Sequence, residues 1–208
     1  MDSAVALSAL CAADVEVLAS WADDETFCAH AGWVASRSSV RDFWQRQLQH
    51  PSERLIRLGA KLDGVLVGHI DLHGDDGQER ELGYLIGPSD RWGQGLGGRV
   101  AAAGLGYAFT ELQLHSVWAE AVVANRPSVR ILRSCGMRET GDGAPQLSRL
   151  RASMHHPLDS SSSSTSIMTT RTVRTFTSFS PSTWPTCSRR PRPIACTPST
   201  PQRCPMSQ

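Results

Sequence analysis

Lysine is almost absent from the 208-residue chain: Lys61 stands alone against 20 arginines, a bias that points to a GC-rich gene. Glycine stops at Gly143, and the 65 residues after it contain one acidic side chain, Asp159. No window approaches the ~18–20 consecutive apolar residues that a membrane-crossing helix needs, so a membrane partner is not expected. The opening MDSAVALSALCAADVEVL lacks the basic start of a secretory leader and meets Asp14 and Glu16 too early for one. Six cysteines, at 11, 28, 135, 187, 196 and 204, never form C-x-x-C, which leaves a disulfide or zinc framework without support. His30 and His50 lack metal-ligand spacing and His155-His156 is isolated, so no metal site is expected. Reduced cysteines and a missing leader predict a cytoplasmic protein.

What is present divides in two. Residues 1–143 carry 13 Lys/Arg against 19 Asp/Glu, a net of −6, whereas residues 144–208 carry 8 Arg against one acid, a net of +7. Ser, Thr and Pro make up 33 of those last 65 residues, and the apolar content is too low to offset the entropy of ordering them. The reading is one domain over 1–143 and a disordered tail over 144–208. Charge alone would let the tail touch nucleic acid, but no interleaved aromatics or binding motif support that partner.

Periodicity supplies the elements of the domain. Val5–Leu10 reads as a strand, and Val15, Leu18 and Trp21 give helical spacing after it. SSVRDFWQRQLQHP reads as a second helix, capped by Ser38 or Ser39 and ended by Pro51. RLIRLGAKL, VLVGHIDLH and ERELGYLIG read as an antiparallel meander over 54–87, with Asp63-Gly64 as the tight turn of its first hairpin. A helix reaches about Leu112, and Gly104 and Gly106 inside it hint at close packing or at a weak helix end. His115–Val123 is the next strand. NRPSVRILRSCGM is a short helix with Asn125 as N-cap, Pro127 in its first turn and Gly136 at its close.

Between the meander and the long helix lies GPSDRWGQGLGG, with four glycines in its last six residues. Glycine lets backbone N–H groups approach an anion with no Cβ in the way, and a helix N-terminus adds unpaired donors and partial positive charge. Gly93 to Gly98 also satisfies the dinucleotide fingerprint G-x-G-x-x-G, and Glu120 lies where a ribose-binding acid would be sought. Against that reading, five residues separate the strand from the loop, the preceding strands form hairpins, and Glu120 sits mid-strand. A P-loop is excluded, because no Lys-Ser/Thr follows the glycines. A glycine-rich turn without a ligand is the bland alternative.

GPSDRWGQGLGGRVAAAGLGYAF resembles the acetyl-CoA loop and helix of the GNAT superfamily of N-acetyltransferases, usually written R/Q-x-x-G-x-G/A, with Trp92 at the first position and Gly95 and Gly97 at the last two. NRPSVRILRSCGM and ELGYLI are similar to segments of the branch that acetylates ribosomal-protein N-termini. The resemblance covers about residues 5–140. It implies an α/β fold with a mixed, largely antiparallel sheet flanked by helices. It also implies acetyl transfer from acetyl-CoA to a primary amine, on a protein N-terminus or a small molecule, by direct attack in a ternary complex. A homodimer is compatible with it.

The same resemblance implies that the diphosphate of acetyl-CoA rests on the amides of Gly93, Gln94, Gly95, Leu96, Gly97 and Gly98, with Trp92 also among the cofactor-binding residues. The pantetheine arm would pair with the backbone at Leu85 and Ile86, Asn125 would contact the cofactor, and Ser128 would return a proton to the leaving thiolate. Tyr84 is an alternative proton donor. Glu81, on the face of Leu85 by strand alternation, is the candidate general base, with Glu79, Asp71 and His69 as nearby alternatives. Trp21, Phe27, Trp33 and Trp44 read as core or lid packing.

Relatives continue past CGM with two more strands. Here the sequence changes character near Gly143, so those strands are expected to be missing or altered, through an aberrant or out-of-frame C-terminus. A second reading follows, in which the chain is a catalytically impaired CoA-binding or interaction protein.

Overall fold

The computed structural model describes residues 4–75, 77–141 and 143–154. Strands β1 (Val5–Ala9), β2 (Leu55–Leu62), β3 (Val65–His73), β4 (Glu79–Ile86), β5 (Ser116–Val122), β6 (Arg138–Glu139) and β7 (Leu147–Ser153) form one sheet in the order β1-β2-β3-β4-β5-β7-β6. Every neighbouring pair is antiparallel except β4–β5. Helices α1 (Ala12–Ser20), α2 (Glu25–Ala31) and α3 (Arg37–Gln49) cover one face; α4 (Leu96–Thr110) and α5 (Arg126–Ser134) cover the other. The mixed, largely antiparallel α/β fold expected from the sequence is the fold observed.

Local chemistry explains the boundaries. Asp63 and Gly64 both have positive φ, 51° and 81°, as the tight β2–β3 turn requires. The N–H of Cys11 donates to Asp14 Oδ2 at 2.9 Å and starts α1. The sole lysine, Lys61, pairs with Asp14 at 3.1 Å and so ties α1 to β2. The cap of α3 falls at Ser36, whose hydroxyl accepts from Ser39 N–H, rather than at Ser38 or Ser39. The short helix α2 escaped the sequence reading. Asp24 caps it by accepting from Phe27 N–H at 2.9 Å, and Phe27 is fully buried against Trp21 and Trp33.

Glycine packing ties the layers together. A Cβ at Gly104 would lie 3.0 Å from Leu82 and 3.3 Å from Ile70, so α4 sits hard on the sheet there, whereas one at Gly106 would meet nothing within 4 Å. A Cβ at Gly87 would lie 2.6 Å from the Trp21 ring, which fixes the end of β4 under the N-terminal helices.

The last strands, expected to be missing or altered, are one short and one complete. β7 pairs with β5 along its whole length, from Ser116↔Ser153 to Val122↔Leu147, and extends the sheet ten residues beyond the boundary read at 143. Leu150 is fully buried, and the arginines that made this segment look like tail are neutralised: Arg149 pairs with Glu120 and Arg151 with Glu79. β6 spans only two residues. The disorder expected of the rest of the tail lies outside the described residues.

Candidate active site

Parallel strands β4 and β5 pair only at their beginnings, Glu79–Glu81 against Ser116–Trp118. Beyond Glu81 they diverge, β4 staying with β3 and β5 with β7, so a fork opens in the middle of the sheet. Gly87 N–H donates to Val67 C=O at 3.1 Å across β3–β4. Alternation from that bond turns the backbone groups of Leu85 and Gly83 toward β3 and those of Ile86, Tyr84 and Leu82 into the fork. Of the sequence-read pair Leu85 and Ile86, only Ile86 offers backbone to the fork; Leu85 packs its side chain against the N-terminal helical cluster.

At the fork's open end the glycine loop meets α4. Gly93 and Gly95 have φ of +78° and +76°, conformations that a side chain would strain. The first helical bond runs from Arg99 N–H to Gly95 C=O, and among the described residues the N–H groups of Leu96, Gly97 and Gly98 have no acceptor. A Cβ at Gly98 would meet nothing within 4 Å, so the third of these residues borders open space. Free amides on the positive end of a 15-residue helix can hold a phosphate. The side chain of Gln94 donates through Nε2 to Asp90 C=O at 2.9 Å and leaves its backbone N–H out of that bond. Trp92 acts differently. Trp92 spends its indole N–H on Ile86 C=O at 2.9 Å and its backbone N–H on Ser89 C=O at 3.0 Å. With both donors occupied, Trp92 fixes the loop to β4 instead of offering a donor to an anion. Asp24, the N-cap of α2, anchors the same loop by accepting from Ser89 N–H at 2.7 Å, a bond between residues 65 positions apart that no local pattern signals.

On the α4–α5 side of the sheet, Asn125 caps α5 by accepting from Ser128 N–H at 3.3 Å. Ser128 lies beside the hydroxyl of Tyr84; burial pushes the Tyr84 phenol up and the Ser128 hydroxyl draws it partway back. The Tyr84 hydroxyl is buried without a hydrogen bond of good geometry. The two proton donors weighed from sequence therefore stand together under the start of α4, where a Cβ on Gly97 would lie 3.9 Å from the Tyr84 ring.

Glu81 projects from the opposite face, at the fork's closed end, and is buried. Burial, reinforced by the charge of Glu120 and opposed by Arg149, pushes its carboxyl up to about 8. The alternatives are otherwise engaged. Asp71 receives both Arg57 nitrogens at 2.6 Å, and although burial works against its ionisation, that guanidinium holds it well below the usual carboxylate range. Glu79 accepts from Ser116 Oγ at 2.8 Å and pairs with Arg151. His69 is buried edge-on to Trp44, one strand further out. Glu120 itself, weighed as a ribose-binding acid, sits mid-strand bonded to Arg149, and the mixed sheet removes the dinucleotide reading. Arg149 was hidden in the arginine-rich segment. A carboxylate within the apolar strand SVWAEAV is the one trace in the sequence that a buried cation had to exist somewhere.

A cavity of about 760 Å³ lies between α5 and the β6–β7 hairpin, away from the fork, and Arg149 is the residue common to both. Among the described residues no cluster of metal-ligating side chains occurs and no helix is long and apolar enough to cross a membrane.

The acetyltransferase (GNAT) domain model matches residues 5–138. An N-acetyltransferase of Bacillus subtilis (strain 168), YnaD, itself uncharacterised, is 34% identical over 80 residues, 38% of this chain and 46% of the relative, so the match spans about half of that protein. A GNAT-family acetyltransferase structure from Bacillus anthracis superposes with a TM-score of 0.61 at 21% identity, over 74% of this chain and 96% of its own. The spermidine N-acetyltransferase of Vibrio cholerae, solved with CoA and spermine, gives 0.59 at 20% identity, over 72% and 95%.

Proposed function

The chain belongs to the acetyltransferase (GNAT) domain family, and on that premise we propose that it transfers an acetyl group from acetyl-CoA to a primary amine by direct attack in a ternary complex. The observation that carries this reading is the pairing of a phosphate-ready loop with a forked sheet. The unengaged amides of Leu96, Gly97 and Gly98 would take the diphosphate, with Gly93 and Gly95 supplying the turn. The bound cosubstrate supplies an activated acetyl thioester. The fork-facing backbone of Ile86 and Tyr84 would align that arm, and a free N–H there would stabilise charge on the thioester oxygen.

Acid and base lie on opposite faces of the fork. Glu81 takes a proton from the incoming amine on the N-terminal helical side. Ser128 or Tyr84 supplies one to the thiolate from the α4–α5 side. Asn125 holds the first turn of α5 in place for Ser128. With its carboxyl near 8, Glu81 gains basic form as pH rises toward 8, so turnover should climb over that range. The ground for an impaired protein is a missing or altered end, and the pairing of β7 with β5 weighs against it. The acceptor class is a primary amine, either a protein N-terminus or a small-molecule amine such as a polyamine or aminoglycoside.

Free thiol released from acetyl-CoA, followed across a panel of N-terminal peptides, polyamines and aminoglycosides, tests the reading. Release that depends on one acceptor class supports it. Tight acetyl-CoA binding without release on any acceptor contradicts it.

A further inference from the structure

A second carboxylate faces the fork and has no part in the reaction outlined above. Glu120 lies on β5, two residues past Trp118, which is the register partner of Glu81, so Glu81, Trp118 and Glu120 share one face of the sheet. The Glu120 side chain is 0% exposed. Its Oε1 accepts from Arg149 Nε at 2.8 Å and lies 2.7 Å from Nη2, while its Oε2 is buried with no hydrogen-bond partner. Arg149 lies over the Trp118 ring, 4.8 Å from its centroid.

The contrast with Asp71 is informative. Arg57 binds both Asp71 oxygens, which is the arrangement expected of a structural ion pair. Arg149 binds one oxygen of Glu120 and leaves the other bare, a state that costs about 1–3 kcal/mol and that an apolar residue would avoid. A half-neutralised carboxylate beside the fork acts on whatever ionises there.

We infer that Glu120 and Arg149 are positioning residues that act through Glu81 from across the fork, by the charges they place on the sheet face that Glu81 and Glu120 share. The inference rests on the reading of Glu81 as general base. Its chemical use is a match of proton affinities. An acceptor arrives as an ammonium ion; a proton passes from its nitrogen to a Glu81 oxygen, leaving the nitrogen lone pair free to attack, and solvent later takes the proton from Glu81. An ordinary carboxylate is a poor acceptor for that proton, and one raised by Glu120 is a better one. The other titratable and charged groups on this face are His73, the register partner of Glu81 on β3, His69 with the Arg57–Asp71 pair, and the Arg151–Glu79 pair. None of these is altered in the variants below.

The test is the pH profile of kcat/KM with the best acceptor from the amine panel. Glu120→Gln should move the rising limb to lower pH by about one unit, and Arg149→Met should move it to higher pH by a similar amount. Arg149→Lys should leave it near the parent position. Carbon-13 NMR titration of the Glu81 carboxyl in the free protein should show the same opposite displacements and reads out without turnover. Variants that lower activity while the limb and the Glu81 titration stay in place would overturn the inference and leave the pair a structural one. Glu81→Gln separates the two claims: if it keeps a parental limb, Glu81 is not the base, whatever Glu120 does. Should Glu120→Gln fail to fold, the upward displacement in Arg149→Met decides the matter, and its absence overturns the inference.

Discussion

The two sides of the fork are built from different materials. On the β4–α4 side, recognition is a matter of backbone: positive-φ glycines, three unengaged amides and a tryptophan that staples the loop. On the β5–β7 side it is a matter of side-chain charge: Glu120 and Arg149, set beside the raised carboxyl of Glu81 on β4. A backbone-built site is written into a short contiguous run of residue types that alone permit it. A charge-built site is assembled from residues 29 positions apart whose types say little until they meet. The first should answer to conformation and steric bulk, the second to pH and to the loss of a strand.

The largest break in that comparison comes from the strand. Leu150 is fully buried in the main core, and Leu150→Ala should cost about 2–5 kcal/mol in denaturant unfolding. Because β7 carries the charge side and not the loop, the folded fraction should retain the parental affinity for acetyl-CoA. An equal loss on both sides would show that the two are not separable.

Next in size is the pH dependence of stability. The folded-state pKa of Glu81 lies near 8, above its ordinary value of 4.5. Between those values the folded chain holds a proton that the unfolded chain has released. Stability should therefore fall as pH rises through that window and level off above it, with a slope of at most ~1.4 kcal/mol per pH unit from this group. Glu81→Gln should flatten the profile in urea titrations at stepped pH; an unchanged slope would mean that burial does not raise Glu81.

A smaller effect is expected on the loop side. Trp92→Phe keeps most of the ring contact with Phe27 and His30 but removes the bond to Ile86 C=O. The expected outcome is a loss of about 1 kcal/mol of loop fixation, read as a several-fold weaker Kd for acetyl-CoA with little change in Tm. The smallest effect sharpens the packing contrast within α4. Gly106→Ala should stabilise by about 0.5–1 kcal/mol, since its Cβ meets nothing, whereas Gly104→Ala presses on Leu82 and Ile70 and should gain nothing or lose stability.

These differences also explain what could be read from the chain beforehand. The meander, the Asp63-Gly64 turn, the position of the glycine loop before α4 and the Asn125 cap all follow from local rules that act within a few residues, and each of these local features is observed. α2 was missed because a helix of seven residues with two buried positions carries too little periodicity. β7 was missed because alternation was sought in apolar residues. Its arginines are paired with Glu120 and Glu79, and only the tertiary structure provides those partners. The backbone role given to Leu85 failed for a simpler reason: the hydrogen-bonding parity of β4 is set by its pairing with β3, which the sequence of β4 alone does not encode.

The central claim is that the bare amides at the start of α4 grip the diphosphate of acetyl-CoA. Gly95 and Gly97 are poor places to probe it, since the first has positive φ and a Cβ on the second would lie 2.8 Å from Ile131. Gly98 has neither constraint, so a glutamate there puts a negative charge beside the amides without straining the backbone. Like charges about 4 Å apart near a protein surface repel by roughly 4 kcal/mol, so isothermal titration should show Gly98→Glu binding acetyl-CoA at least ~100-fold more weakly than the parent, at an unchanged Tm. A folded Gly98→Glu protein that binds acetyl-CoA as tightly as the parent would contradict the claim.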